Sequence, residues 1–221
     1  EELIKRIFRL NRAPVQVRFN IAPSQNISVI RNHPSTQDRE LVPMRWGLIP
    51  SWAKDMKIGN RMINAKSETV FEKPAFRNAI KRRRCLIPAD GFFEWKKLKK
   101  GKQPYYISLE NHEPFAFAGI WESWKSDPQT TIESCTILTT SANELIQPLH
   151  ERMPVIIPIP DHPIWLDPER QSAEEQMSLF HPFPAEEMTM YPVGDWVNHV
   201  GNDIPDCIES VQEKMDDLLL F

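Results

Sequence analysis

Apolar residues along the chain come in short bursts rather than long periodic stretches. Leu3, Ile4, Ile7 and Phe8 fall at helical spacing, so Glu1–Leu10 is expected to be a helix. No Ser, Thr, Asp or Asn stands ahead of it as a cap, which gives the expectation that the chain continues upstream of Glu1. Runs of β-type residues follow at Ile27–Ile30, Tyr105–Leu109, Phe115–Ile120, Cys135–Thr139 and Val155–Ile159, and Lys99–Lys102, with Gly101 inside it, reads as a turn between two strands. Pro74 to Arg83 reads as a helix with proline at its first position. Ser141 and Glu144 form a capping box ahead of Leu145–Leu149. Ser172–Leu179 and Asp206–Leu219 are amphipathic, acidic and predicted helical. No repeat and no low-complexity linker divides the chain. The pattern predicts one α+β domain over residues 1–221, mainly antiparallel β, its sheet curled and barrel-like, with peripheral helices and the acidic third 161–221 packed outside.

Composition narrows this further. An apolar content of 41% supports a real core, and 20 prolines against 7 glycines favour many short elements. No apolar run is long enough to span a bilayer, so no membrane partner is expected. The three cysteines, Cys85, Cys135 and Cys207, lack CxxC spacing and point to neither zinc nor a disulfide framework; no cofactor is expected, and a reducing cytoplasm is the simplest compartment. The net charge of −3 conceals a split: residues 1–160 carry 25 basic and 16 acidic side chains (+9), residues 161–221 carry 2 and 14 (−12). A basic body fits a polyanion partner or a merely polarised solvated surface, and charge alone leaves the two even.

Four regions carry candidate chemistry: Arg18-Phe-Asn-Ile-Ala-Pro23; Arg45-Trp-Gly-Leu-Ile-Pro-Ser-Trp52 followed by Ile63-Asn-Ala-Lys-Ser-Glu-Thr69; Pro88-Ala-Asp-Gly-Phe-Phe-Glu-Trp95; and Leu149-His-Glu-Arg-Met-Pro154. Singly, each has an ordinary explanation. Trp46 and Trp52 suit a core, Asn64 suits a turn, and His150 suits a structural role. Glu94 in its apolar stretch is either turned outward or buried with a raised pKa, and the second state serves proton transfer. Residues 77–102 hold ten basic side chains against two acidic, a solubilising face or a set of phosphate contacts. Aromatics interleaved with such charge, Trp46, Trp52, Phe92 and Phe93, suit stacking on unpaired bases.

Taken in order, NIAP, RWGLIPSW, INAKSET, IPADGFFEW and HERMP, with Val197-Asn198 near the end, resemble the SOS response-associated peptidase (SRAP) family from about Arg18 to Asn198. The resemblance implies abasic-site processing. An N-terminal cysteine, exposed by autoproteolytic removal of the initiator methionine, reacts with the ring-opened sugar aldehyde in single-stranded DNA to form a thiazolidine cross-link. It implies catalytic roles for Asn64 beside the cysteine and opened sugar, Glu94 in proton shuttling, and His150 in ring opening and reversal. It implies DNA contacts by Asn20, Pro23, Arg45, Trp46 and Trp52, and phosphate contacts by Lys66 and Arg152. Lys66 stands where many relatives have arginine, and an ammonium makes no bidentate contact. The sequence departs from the family in having no cysteine near its start, so that residue is expected upstream of Glu1. The expected partner is single-stranded DNA containing abasic sites, met by a cytoplasmic, nucleoid-associated monomer. Two other readings stay open: a non-catalytic single-strand DNA-binding module, and a cysteine peptidase acting on other proteins through Cys85, Cys135 or Cys207.

Overall fold

The computed structural model describes residues 1–127, 129–170 and 172–214. Its strands are β1 (Asn26–Asn32), β2 (Arg39–Trp46), β3 (Asn64–Lys66), β4 (Arg84–Ala89), β5 (Phe92–Lys97), β6 (Lys102–Leu109), β7 (Phe115–Lys125), β8 (Thr131–Ser141), β9 (Arg152–Pro154) and β10 (Met188–Pro192). The α-helices are short: α1 (Glu2–Phe8), α2 (Ala79–Arg82), α3 (His162–Leu166) and α4 (Ala173–Met177).

Alternating side chains build the fold. In β4, Cys85 and Ile87 face one way and Leu86 the other; in β7, Phe115, Phe117 and Trp121 oppose Ala116, Ala118 and Ile120. β1 pairs antiparallel with β2 and β4, β4 with β7 and β7 with β8. β8 then returns to β2 in parallel through Arg45↔Ser134 and Trp46↔Cys135, which closes the sheet into a barrel. All five of these strands contribute to one apolar set, including Val29, Met44, Cys85, Phe117 and Ile137, which fills the interior. The opposite face, with Ile30, Leu86, Ala118, Ile120 and Leu138, is covered by Phe8 of α1, Ile80 of α2 and Trp165 of α3. β3 extends the parallel pairing along β8, and β9 adds antiparallel to the end of β8. A second antiparallel sheet, β10-β6-β5, caps the barrel, since Tyr105 and Ile107 of β6 join the interior set. The prediction of a barrel-like, mainly antiparallel single domain matches this architecture.

Several local expectations need correcting. Leu145–Leu149 forms turns rather than a helix, because Pro148 lacks an N–H and disfavours helix at the residue before it. Its cap is Asn143, whose Oδ1 accepts from the Ile146 N–H at 3.0 Å, not Ser141. Val155–Ile159 is not a strand: Val155 and Ile157 reach β7 and β8 through isolated backbone bonds, and Pro158 and Pro160 stop the ladder. Between Pro74 and Arg83 only the last turn is regular. The described part of Asp206–Leu219 holds a 3-10 turn, Pro205–Ile208, and a bridge from Ser210 to Val193; residues 215–221 lie outside the described residues. The acidic third also supplies a strand, β10, which its helical pattern did not announce.

The three arginines 82–84 divide by burial. Arg84 is buried and donates to the carbonyls of Ile80 (2.8 Å), Lys81 (2.7 Å) and Trp165 (2.6 Å) and to that of Asp167. It therefore ties the carbonyl ends of α2 and α3 to β4. Burial lowers its pKa to about 10, and the nearby Asp167 carboxylate offsets part of that. Arg83 is paired with the buried Glu122 at 2.7 Å. Neither is a free phosphate contact.

After β2 the chain must turn sharply. Gly47 has φ +124°, and a Cβ there would lie 2.6 Å from the Gly59 carbonyl oxygen, a backbone atom that cannot step aside. Gly47→Ala is expected to cost about 2–3 kcal/mol from strain of this kind, measured as a lowered urea midpoint at unchanged m-value. A midpoint equal to that of the parent would show that the turn tolerates a side chain.

Candidate active site

The motif segments, far apart in sequence, form a circuit of contacts. Ser24, next to Pro23, donates its N–H to the Trp46 carbonyl (2.8 Å) and its hydroxyl to Asn60 Oδ1 (3.0 Å). Arg45 fixes the same corner by donating to the Ser24 carbonyl (2.6 Å) and Asn60 Oδ1 (2.7 Å). Trp46 is half-buried, and its indole donates to the Ile63 carbonyl at 2.9 Å, directly before Asn64. Two residues beyond Lys66, Glu68 accepts both terminal nitrogens of Arg152, at 2.6 and 2.9 Å. Arg152 donates its backbone N–H to His150 Nδ1 at 3.0 Å. His150 lies close enough to Glu94 for its charge to act on that carboxylate. Trp95, beside Glu94, donates to Asn198 Oδ1 at 2.8 Å. Asn20 is buried and donates to the carbonyls flanking Asn198, Val197 and His199, each at 3.2 Å, which returns the circuit to its start.

Each candidate can now be placed. Asn64 and Lys66 are exposed on β3, held by the parallel ladder to Ile137 and Thr139. Pro23 is exposed, and Trp52 stands out with 58% of its surface accessible. Lys54 and Lys57 share with Trp52 a shallow groove of about 370 Å³. Asn20 and Arg45 are engaged with protein acceptors, and Arg152 with Glu68 and the Thr139 carbonyl. His150 is exposed and lies within range for its charge to act on Glu94. His150 Nδ1 lies 3.0 Å from the Arg152 N–H and 3.1 Å from the Arg152 carbonyl oxygen, so whether it accepts or donates there follows the tautomer.

Glu94 is half-buried on β5 opposite Tyr105. Burial raises its pKa above the ordinary carboxylate value, while the His150 charge and the Trp95 backbone N–H pull it partly back. A carboxyl that keeps its proton longer than usual, beside a histidine, can both give and take protons. The three cysteines offer no competing centre. Cys85, Cys135 and Cys207 are all buried, and burial pushes the Cys85 and Cys135 thiols upward, so neither forms an accessible thiolate. Among the described residues no cluster of His, Cys, Asp or Glu could hold a metal ion, and no helix is long and apolar enough to cross a membrane.

Sequence reasoning passed over three parts of this arrangement. Glu68 lay inside a quoted motif without a role. Asn60 and Asp203 belong to no motif. The Asp203 carboxylate accepts from the N–H groups of Phe19 (2.6 Å) and Asn20 (3.0 Å) and pairs with Arg18, so it fixes the NIAP segment from 184 residues away. A pairing at that separation leaves no local signal.

A closed barrel with a carboxylate–histidine pair where these segments meet defines a single-domain class of protein. The chain belongs to the SRAP family: the model for SOS response associated peptidase (SRAP) matches residues 1–200. It is 46% identical over 193 residues to "Abasic site processing protein YoqW" of Bacillus subtilis (strain 168), spanning 87% of this chain and 85% of that one. It is 32% identical over 211 residues to "Abasic site processing protein HMCES" of Gallus gallus, spanning 83% of this chain and 61% of that one. Among solved structures, a protein from Bacteroides thetaiotaomicron has a TM-score of 0.76 at 32% identity, over 86% of this chain and 82% of that one. A Bordetella bronchiseptica protein also has a TM-score of 0.76, at 27% identity, over 87% and 95%.

The electrostatics of the pair can be checked directly. His150 lowers the Glu94 pKa against the rise caused by burial, so His150→Ala is expected to raise it further. Carbon-detected NMR titration of the Glu94 carboxyl reads the change. A pKa that falls or stays put would mean that the two side chains do not sense each other.

Proposed function

We propose that this protein processes abasic sites in single-stranded DNA by forming a covalent thiazolidine with the opened sugar. The nucleophile is an N-terminal cysteine expected ahead of Glu1, exposed by removal of the initiator methionine. The observation that carries the reading is the half-buried Glu94 carboxyl, with its raised proton affinity, beside His150. The curated relatives' names as abasic site processing proteins support it.

The chemistry runs in two bond-forming steps. The cysteine α-amine, partly unprotonated near neutral pH, attacks the C1′ aldehyde of the opened sugar. Glu94 gives its proton to the hydroxyl of the resulting carbinolamine, which leaves as water, and an iminium remains. The cysteine thiolate adds to the iminium carbon and closes the five-membered ring, and Glu94 is restored by the proton released from the thiol. One aldehyde and one cysteine thus yield one thiazolidine and one water. His150 serves ring opening before this sequence and protonation of the ring during reversal. Asn64 orients the terminal cysteine. Pro23, Arg45, Trp46 and Trp52 hold the strand, with exposed Trp52 offering a face for a base, while Lys66 and Arg152 meet phosphates. Asn20, expected from the sequence to touch DNA, is buried and instead braces the NIAP segment through the Val197 and His199 carbonyls.

The test uses a form carrying Cys at its amino terminus and an oligonucleotide with one abasic site. It should give an adduct that survives a denaturing gel. Glu94→Gln should slow adduct formation by roughly 10²- to 10⁴-fold with DNA affinity nearly intact, and His150→Ala should slow reversal more than formation. Because a free amine and a protonated Glu94 are needed together, the parent rate should stop rising with pH at the raised Glu94 pKa, whereas the rate of Glu94→Gln should go on rising as the amine loses its proton. Retention of DNA with no adduct would leave a single-strand binding module in place of an enzyme.

A further inference from the structure

The two cations assigned above to DNA phosphates face one carboxylate. Glu68 sits in the 3-10 turn Ser67–Thr69, immediately after β3, so that Lys66 and Glu68 are two residues apart on a tight bend. The two Glu68 oxygens accept from Arg152 Nη1 at 2.6 Å and Nη2 at 2.9 Å. That is the fork geometry a guanidinium equally offers to two oxygens of a phosphate. The Arg152 hydrogen bond and, less strongly, the Lys66 charge hold the Glu68 carboxyl below its ordinary range, so both cations act on the same group.

The two partners are not held alike. Arg152 is anchored from behind: Nη2 also donates to the Thr139 carbonyl on β8 at 2.5 Å, and Nε is buried without an acceptor. Its side chain is 17% exposed, whereas that of Glu68 is 54% exposed. The guanidinium stays in place while the carboxylate can swing into water with little loss, since an ion pair with one partner this exposed is weak.

We propose that Glu68 is an internal stand-in for a DNA phosphate: in the free protein its carboxylate fills the Arg152 fork beside Lys66, and an entering phosphate displaces it. The inference rests on the reading of Arg152 and Lys66 as phosphate contacts. Glu68 keeps the guanidinium aimed and neutralised while the site is empty. It also sets a threshold, because only a strand that brings further contacts, such as a base on Trp52, outcompetes a carboxylate already in position.

Fluorescence anisotropy with a labelled oligothymidylate lacking any abasic site isolates binding from chemistry. Glu68→Gln keeps the shape and removes the charge. It is expected to tighten binding by roughly three- to tenfold, the scale of a partly exposed ion pair with ideal geometry. It should also change the log–log salt slope, because phosphate binding no longer has to expel an internal anion. The gain must run through Arg152, so Glu68→Gln in an Arg152→Ala background should gain less than twofold. An equal gain in both backgrounds would reduce Glu68 to a general repulsion of DNA and overturn the inference. Weaker binding by Glu68→Gln would make Glu68 a support for Arg152 and overturn it too. Arg152→Ala alone separates the levels. If it leaves affinity and salt slope untouched, the phosphate reading itself fails; if it weakens binding and Glu68→Gln does not tighten it, the stand-in alone fails.

Discussion

Parallel closure of β2 onto β8 at Trp46 and Cys135 is the constraint from which the site follows. A sheet of antiparallel neighbours needs this return to become a barrel, and the return requires the chain to leave β2 at once, through Gly47 packed on Gly59. The same turn carries the Leu48 N–H to the Met62 carbonyl and the Trp46 indole to the Ile63 carbonyl, which sets β3 in register with β8. Asn64 and Lys66 are thus placed by a ladder, not by a loop. β8 then runs on between β3 and β9 and brings Arg152 and His150 to the same end of the barrel. The cap of β5 and β6 supplies Glu94 from above. Strands, each fixed by a neighbour, hold or flank groups that come from three separate parts of the chain.

Buried charge separates scaffold from site. Arg31 in the barrel wall pairs with Glu40 and Glu133 at 2.7 Å each and lies over the Trp121 ring at 4.3 Å. Arg84 is surrounded by carbonyls. These guanidiniums are satisfied on nearly every side, and removing a partner would strand them. Glu94 differs. It is half-buried, its compensation comes from one backbone N–H and a nearby histidine, and its pKa rises accordingly. A group left partly uncompensated in this way titrates where a satisfied one would not, which is what proton transfer requires.

What could be read in the sequence follows from range. Strands with strict alternation, such as Phe115–Ile120, and the Lys99–Lys102 turn were legible because their signals are local. The Val155–Ile159 run and the Leu145–Leu149 segment misled because apolar content outweighed the prolines that interrupt them. The tribasic Arg82-Arg83-Arg84 looked like one electrostatic feature, yet burial divides it into an exposed residue, an ion pair with Glu122 and a buried clamp. The motif set was legible as a set, and contacts link its segments, while Trp52 stands apart in its own groove. Their contacts were not: Asp203 on Asn20, Asn198 on Trp95 and Glu68 on Arg152 span separations of 183, 103 and 84 residues. Local periodicity carries nothing about such pairings.

The charge split takes on a different meaning once the side chains are placed. Some acidic side chains of the last third pair with the basic body, Asp203 with Arg18 and Glu213 with Lys96, while Asp195 pairs with Lys214 inside the acidic third itself. Part of the +9 is therefore spent within the fold and makes no field for a polyanion to follow. Near the motif circuit a small number of cations is held in definite positions, Arg45 by the Ser24 carbonyl and Asn60, and Arg152 by the Thr139 carbonyl and Glu68. Diffuse charge attracts a strand from a distance but does not orient it, and salt screens it within about 10 Å. Cations whose rotamers are already fixed lose little entropy when a phosphate arrives, so under the proposed function they would set the register of a strand against Trp52 and the Glu94–His150 pair. Under the proposed function, selectivity would rest on the few donors that the barrel holds in place.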